Sequence, residues 1–136
     1  MMKNLFFRLL TAAVLILIIA GFMLVLKEGA EYGSPNYQYF ASNYDAFHYV
    51  DRIVVSEHFR RQGVGAGLYA VLFEAAAGAP RVTCEVNVRP ANPGSIGFHE
   101  SLGFKTVGEQ DTEGGNKRVA LMVREASLPS MQPGPT

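Results

Sequence analysis

Cysteine is almost absent from this chain: Cys84 is the one thiol in 136 residues, so no intrachain disulfide can form. No cluster of Cys and His at zinc-binding spacing is present, and no metal site is expected. A charge excess is missing as well. Twelve basic side chains balance twelve acidic ones, which leaves no long-range field for nucleic acid or an anionic membrane surface. Internal repeats are also lacking. What remains is a globular composition, 49% hydrophobic and 18% charged, on a chain long enough for one domain with its own core but not for two. Within that core Cys84, between Thr83 and Glu85 in an apolar stretch, reads as a small buried residue rather than a nucleophile.

The start of the chain admits two readings. Leu9 to Leu26 are 18 consecutive uncharged residues, close to the roughly 20 that a membrane-spanning helix needs. Alternatively the run is divided, with Gly21 to Leu26 as a buried strand behind another hydrophobic segment. Periodicity alone does not separate the two. Lys3 and Arg8 precede the run while Lys27 and Glu28 cancel beyond it, so a span would hold the N-terminus in the cytoplasm and export the rest. The strand reading is preferred. It divides the chain into an atypical hydrophobic segment (1–20), a folded domain (21–126) and a proline-rich tail (127–136).

Further along, Glu28 to Tyr44 reads as a structured loop with a short helix near Tyr37 to Phe40. His48 to Val55 is strand-like and ends in a β-branched run. A polar loop, Ser56 to Gln62, leads into a helix predicted over Val64 to Ala77, where Leu68, Leu72 and Ala75 recur at helical spacing, with Gly78 as its C-cap. Arg81 to Val88 alternates as a strand. Pro90 to Gly94 is a turn, Ser95 to Leu102 a short helix stopped by Gly103, and Phe104 to Val107 and Arg118 to Arg124 an antiparallel pair. The fold class is therefore mixed α/β (α+β): a mainly antiparallel sheet around a β-α-β unit whose two strands run parallel.

The junction inside that unit carries chemistry. Arg60-Arg61-Gln62-Gly63-Val64-Gly65 lies where a strand passes into a helix. A phosphate needs closely spaced donors, and the free N–H groups of a helix start supply them with help from the helix dipole. Glycines permit positive φ and close approach, Gly67 adds another position without a side chain, and Arg60 and Arg61 add charge. A glycine pair alone is equally an ordinary tight turn. No Gly-Lys-Ser/Thr follows, which removes the P-loop. The third glycine comes too early and Arg89-Pro90 closes the next strand, which removes a dinucleotide fingerprint.

Two blocks together resemble the GNAT superfamily of N-acetyltransferases. Its cofactor loop has Arg or Gln, two residues, Gly, one residue, then Gly or Ala, as Arg60 to Gly65 do. Its second block, Asn, a small-residue helix, an aromatic pair, then Gly-Phe, is matched by Asn92, Ser95, Ile96, Phe98, His99, Gly103 and Phe104. The resemblance covers Gly21 to Glu125. It implies acetyl-CoA as cosubstrate, no metal, an amine acceptor of unknown kind, and an N-acetyltransferase activity in the cytoplasm; a homodimer stays open. Backbone groups of Ile53, Val54 and Val55 would hold the pantetheine arm. The amides of Gln62, Gly63, Val64, Gly65 and Ala66 would hold the pyrophosphate, and Asn92 would contact the cofactor or order the adjoining loop. The strands carrying Asp51 and Glu85 would splay to admit the thioester.

An alkylamine, with a pKa near ~10.4, must lose a proton before it attacks. Glu85 and Asp51 are the candidate bases. His99 stands where the family usually has the tyrosine that returns a proton to the thiolate, a role histidine can fill; His48 and His58 have no such placement. The family's usual opening strand and two helices, which shape its acceptor site, have no counterpart before Gly21. The alternatives are thus a non-catalytic CoA-binding module and a protein anchored through residues 9–26.

Overall fold

The computed structural model describes residues 20–126. In chain order the elements are β1 (Gly21–Lys27), α1 (Pro35–Asn43), β2 (His48–Val55), a 3-10 turn (Glu57–Phe59), α2 (Val64–Ala75), β3 (Arg81–Arg89), α3 (Pro93–Ser101), β4 (Lys105–Thr112), a second 3-10 turn (Glu113–Gly115) and β5 (Lys117–Glu125). The five strands form one sheet in the order β1-β2-β3-β5-β4. β3 and β4 both run antiparallel to β5, and β2 runs parallel to β3. This is the mixed, mainly antiparallel sheet expected from the sequence. The membrane-anchor reading lies largely on residues 9–19, outside the described residues. Its remainder, Gly21–Lys27, is strand, and among the described residues no helix is long and apolar enough to cross a membrane.

Two compact units divide the chain: the described residues up to Leu24 with Arg52–Ala75, and Val25–Asp51 with the described residues from Ala76 onward. In the first, the end of β2 is tied to the start of β1 by Ser56 N–H donating to Ala20 O at 2.9 Å. Gly21 is a close-approach site. A Cβ there would stand 2.8 Å from Val54 O and 3.1 Å from Val64 Cγ1, so a side chain would force strand and helix start apart.

In the second unit β5 is the centre. Val119, Ala120, Leu121, Met122 and Val123 are all buried, the continuous apolar run of a strand covered on both faces. The core on one face joins Tyr37 and Phe40 of α1 to Phe47, Tyr49, Val119, Leu121 and Val123. Burial of each such side chain contributes about 1.5–3 kcal/mol. The Tyr37–Tyr49 edge-to-face contact, with centroids 5.5 Å apart, adds specificity. Tyr37 also orders the loop before its own helix: its hydroxyl donates to Lys27 O at 2.7 Å and accepts from Ala30 N–H at 3.0 Å.

Several boundaries differ from the sequence reading, for two physical reasons. α1 is longer than Tyr37 to Phe40, and α3 starts at Pro93 within the stretch read as a turn. Both helices begin with a capping side chain followed by proline: Ser34 Oγ accepts from Tyr37 N–H ahead of Pro35, and Asn92 Oδ1 accepts from Ser95 N–H ahead of Pro93. Proline at the first helical position loses no bond and has the right φ. β4 runs on to Thr112 through the polar Gly108-Glu109-Gln110-Asp111 because β5 supplies its hydrogen bonds; an edge strand needs little apolar content of its own. α2 ends at Ala75, two residues before the predicted end. Gly103 does terminate α3. At φ +96° it donates to Glu100 O while Phe104 N–H reaches back to His99 O, a Schellman closure.

Candidate active site

In the first unit, the loop from Ser56 to Gly63 delivers the chain into α2. Phe59 N–H bonds Ser56 O at 2.8 Å, and Gly67 N–H bonds Gly63 O at 2.9 Å. The amides of Val64, Gly65 and Ala66 lie ahead of that Gly67 bond, in the first turn, where no intrahelical acceptor exists. Arg61 (φ +64°) and Gly63 (φ +80°) are left-handed, which turns the backbone sharply at the helix entrance. A Cβ at Gly63 would meet nothing, and neither would one at Gly67. Packing against the protein therefore does not explain either glycine, though the positive φ explains Gly63. Arg60, Arg61 and Gln62 are exposed. Arg60 Nε donates to Val55 O at 3.4 Å and Gln62 Nε2 to His58 O at 3.2 Å, so both side chains brace the loop from behind. Ile53, Val54 and Val55 lie along β2 beyond the two pairs, His48–Val82 and Tyr49–Thr83, that make up its ladder with β3.

In the second unit the two candidate carboxylates share a sheet face. Tyr49 pairs with Thr83, and Thr83 and Glu85 pair with Val123 and Leu121. With side chains alternating along each strand, Tyr49, Asp51, Thr83 and Glu85 face the α1 side. Asp51 accepts from the Tyr32 hydroxyl at 2.6 Å. Glu85 is largely buried, and its carboxyl is pushed up to about 7, chiefly by loss of water; Tyr49 and Asn36 pull it partly back down, and the charge of Asp51 raises it further. A carboxyl in that range is half ionised at neutral pH, the condition for a general base. The Tyr49 hydroxyl lies beside Glu85 and Ser34, and burial holds it far above the usual phenol range. That proximity falls short of a well-formed bond: Tyr49 Oη and Glu85 Oε2 are both buried with no hydrogen-bond partner of good geometry.

The other predicted residues also lie in the second unit. Asn92 is the N-cap of α3, so its side chain orders the loop-to-helix turn. His99 is 4% exposed, with Phe98 and Phe104 edge-on to its ring. Its Nδ1 is 2.7 Å from Ser95 O; a carbonyl only accepts, so Nδ1 carries the hydrogen. Burial lowers its proton affinity. The neutral ring has Nε2 as an acceptor, and donation would need the doubly protonated form that burial opposes. Cys84 is buried, as expected. Among the described residues no group of His, Cys, Asp and Glu could hold a metal.

Sequence reading missed Tyr49, Tyr32, Asn36 and Gln110. Tyr49 was within reach, two residues before Asp51 on an alternating strand. Nothing local marks Gln110, whose Nε2 donates to Asn36 Oδ1 at 2.7 Å across 74 positions of sequence.

Comparison with known proteins agrees with the fold. A model of the acetyltransferase (GNAT) family matches residues 20–104, more than half of the chain, and the chain belongs to that family. No curated protein matches it. Among solved structures it is similar to the ribosomal-protein-S18-alanine N-acetyltransferase of Escherichia coli (20% identity, TM-score 0.58, covering 83% of this chain and 65% of that one). It is also similar to Naa20 of Chaetomium thermophilum in complex with a bisubstrate analogue (22%, TM-score 0.59, 78% and 59%), and to nourseothricin acetyltransferase (24%, TM-score 0.58, 79% and 58%). The chain thus spans about three fifths of the length of these structures, and at such identities the likeness is one of fold.

Proposed function

We propose that this protein is an acetyl-CoA-dependent N-acetyltransferase that uses Glu85 as its general base. The observation that carries the reading is the loop before α2. Two left-handed residues, Arg61 and Gly63, turn the chain ahead of the first-turn amides of Val64, Gly65 and Ala66, which have no intrahelical acceptor. That is a fitting seat for a pyrophosphate. Open space at Gly63 and Gly67 lets an anion approach the backbone, and the exposed Arg60 and Arg61 add positive charge to the same loop. Ile53, Val54 and Val55 would offer backbone groups to the pantetheine arm. The complex of Naa20 with a bisubstrate analogue lends this reading support at the level of fold.

Bound acetyl-CoA would supply an activated acyl carbon. The chain's own task is to deprotonate the acceptor. Glu85, ionised in about half the molecules near neutral pH, would take a proton from the ammonium and pass it to solvent; the freed amine would then form the C–N bond as the C–S bond breaks, with the proton left on the nitrogen going to the departing thiolate, which leaves as the free thiol of CoA. The neighbouring Asp51 carboxylate raises the basicity of Glu85. His99 is not assigned the proton-return role in this reading, because burial holds it neutral. Isothermal titration with acetyl-CoA and CoA tests the first half: absence of binding at millimolar ligand would overturn it. Acetyl transfer across a panel of amines tests the second. Binding without transfer to any of them would replace the enzyme by a CoA-binding module.

A further inference from the structure

We propose that the first compact unit docks on an anionic lipid surface through an apolar face of β1 and β2. Phe22 is 50% exposed, Leu24 46% and Val54 41%. β1 is an edge strand beside β2. The two run antiparallel, since Ser56 N–H meets Ala20 O at one end and Glu28 N–H meets Phe47 O at the other. Two residues in from Ala20 and Ser56, Phe22 lies opposite Val54. Two further in, Leu24 lies opposite Arg52, which is exposed as well. Side chains alternate along a strand, so these four share a face. Half-exposed apolar side chains grouped on an edge strand form a patch that favours a partner over water.

Two further observations identify the partner. The first is charge. By sequence, residues 1–24 and 52–75 hold five basic side chains (Lys3, Arg8, Arg52, Arg60, Arg61) against two acidic ones (Glu57, Glu74), a formal +3. The rest of the chain holds seven against ten, a formal −3. The balance of twelve against twelve therefore conceals a cationic unit, and that unit carries the apolar patch. Basic residues beside apolar ones suit an anionic headgroup layer. The second observation is length. β1 begins at Gly21, so the uncharged run from Leu9 has only the 12 residues to Ala20 left outside the sheet. Residues before 20 lie outside the described structure, and only their sequence bears on this. Even a fully helical run of that length would reach ~18 Å, short of the ~30 Å hydrocarbon core. It is too short to span a bilayer, yet three side chains are too few to cover twelve apolar residues. A lipid interface accommodates run and patch together, with Lys3, Arg8 and Arg52 at headgroup level.

The test is co-sedimentation of the full chain with vesicles of phosphatidylcholine mixed with phosphatidylserine, and with vesicles of phosphatidylcholine alone. The chain should partition onto the mixed vesicles, and high salt should weaken that binding. Arg52→Gln should weaken it about fivefold. Phe22→Thr with Leu24→Thr, which keeps strand-forming residues on β1, should weaken binding to both vesicles by about tenfold. No sedimentation with the mixed vesicles overturns the proposal, and so does a double variant that sediments like the unmodified chain. A dimer in sedimentation velocity without lipid, broken by the same double variant, overturns it in favour of a second copy as the occupant. Should the double variant not fold, the unmodified chain is placed in bicelles of the same mixed lipids carrying a nitroxide-labelled lipid. The methyl NMR signals of Leu24 and Val54 should broaden while those of the buried Val119, Leu121 and Val123 do not, and unbroadened Leu24 and Val54 signals overturn the docking. None of these readouts involves acetyl-CoA, so they stand apart from the test of acetyl transfer.

Discussion

Replacing Glu85 by Gln should change how the stability of this protein depends on pH, and the size of the change follows from burial. In the fold the Glu85 carboxyl is pushed from its ordinary 4.5 up to about 7, chiefly by loss of water. The folded chain therefore holds a proton there between those two values that the unfolded chain has released. Where the unfolded state binds fewer protons, stability falls as pH rises. The loss begins above the unfolded value near 4.5 and is complete once pH has passed the folded value near 7. At about 1.4 kcal/mol per unit, the cost of ionising the buried group comes to about 3 kcal/mol. A domain of this size has about 5–15 kcal/mol in total, so the effect is large enough to see. Glu85→Gln keeps the shape and cannot ionise. Urea unfolding from about pH 5 to pH 9 should show the unmodified chain losing about 3 kcal/mol relative to the variant, equivalent to roughly 10 °C in melting temperature. The difference between the curves cancels all other titrating groups. Parallel curves would refute the claim that Glu85 is a desolvated carboxyl, and with it the basis for calling it a base.

Other consequences are as direct. Asp51→Asn removes the charge that raises Glu85, so the Glu85 midpoint should fall, which NMR titration checks. Gly63→Ala forces a side chain to φ +80°; its Cβ meets no atom of the protein, so stability should drop by only about 1 kcal/mol while CoA affinity in calorimetry drops by much more. Gly21→Ala drives a Cβ against Val54 O and Val64 Cγ1 and should cost about 1–3 kcal/mol in chemical denaturation. His99→Phe removes a ring whose proton affinity is lowered by burial. The unmodified chain should lose stability relative to this variant as pH falls below the ordinary histidine range near ~6.5, and an unaltered acid limb would contradict the neutral, buried ring.

The elements that were easiest to anticipate are those whose signal is local. β5 announces itself by five consecutive apolar residues, Val119 to Val123, and Gly103 by its place after a short helix. α1 and the start of α3 were under-read even though their signal is local too: Ser34-Pro35 lies inside the stretch that reads as a structured loop and Asn92-Pro93 inside the one that reads as a turn, yet both are caps with proline at the first helical position. β4 beyond Val107 was not legible. Its residues are polar, and its strand conformation is imposed by the ladder to β5. Gln110 was invisible for the same reason, since its role depends on a partner 74 positions away.

By itself the sequence determined the family, the mixed sheet and the loop from Arg60 to Gly65, because each rests on short-range patterns: glycine spacing, a capped helix, alternating apolar residues. Only the tertiary structure decided what Glu85 is. Its sequence context, an acidic residue on an alternating strand, is shared by countless exposed carboxylates. Its proton affinity comes from burial beneath α1 and from Tyr49, Asn36 and Asp51, which the fold brings to it from distant positions. Desolvation and charge act through space, and neither leaves a mark in the order of residues.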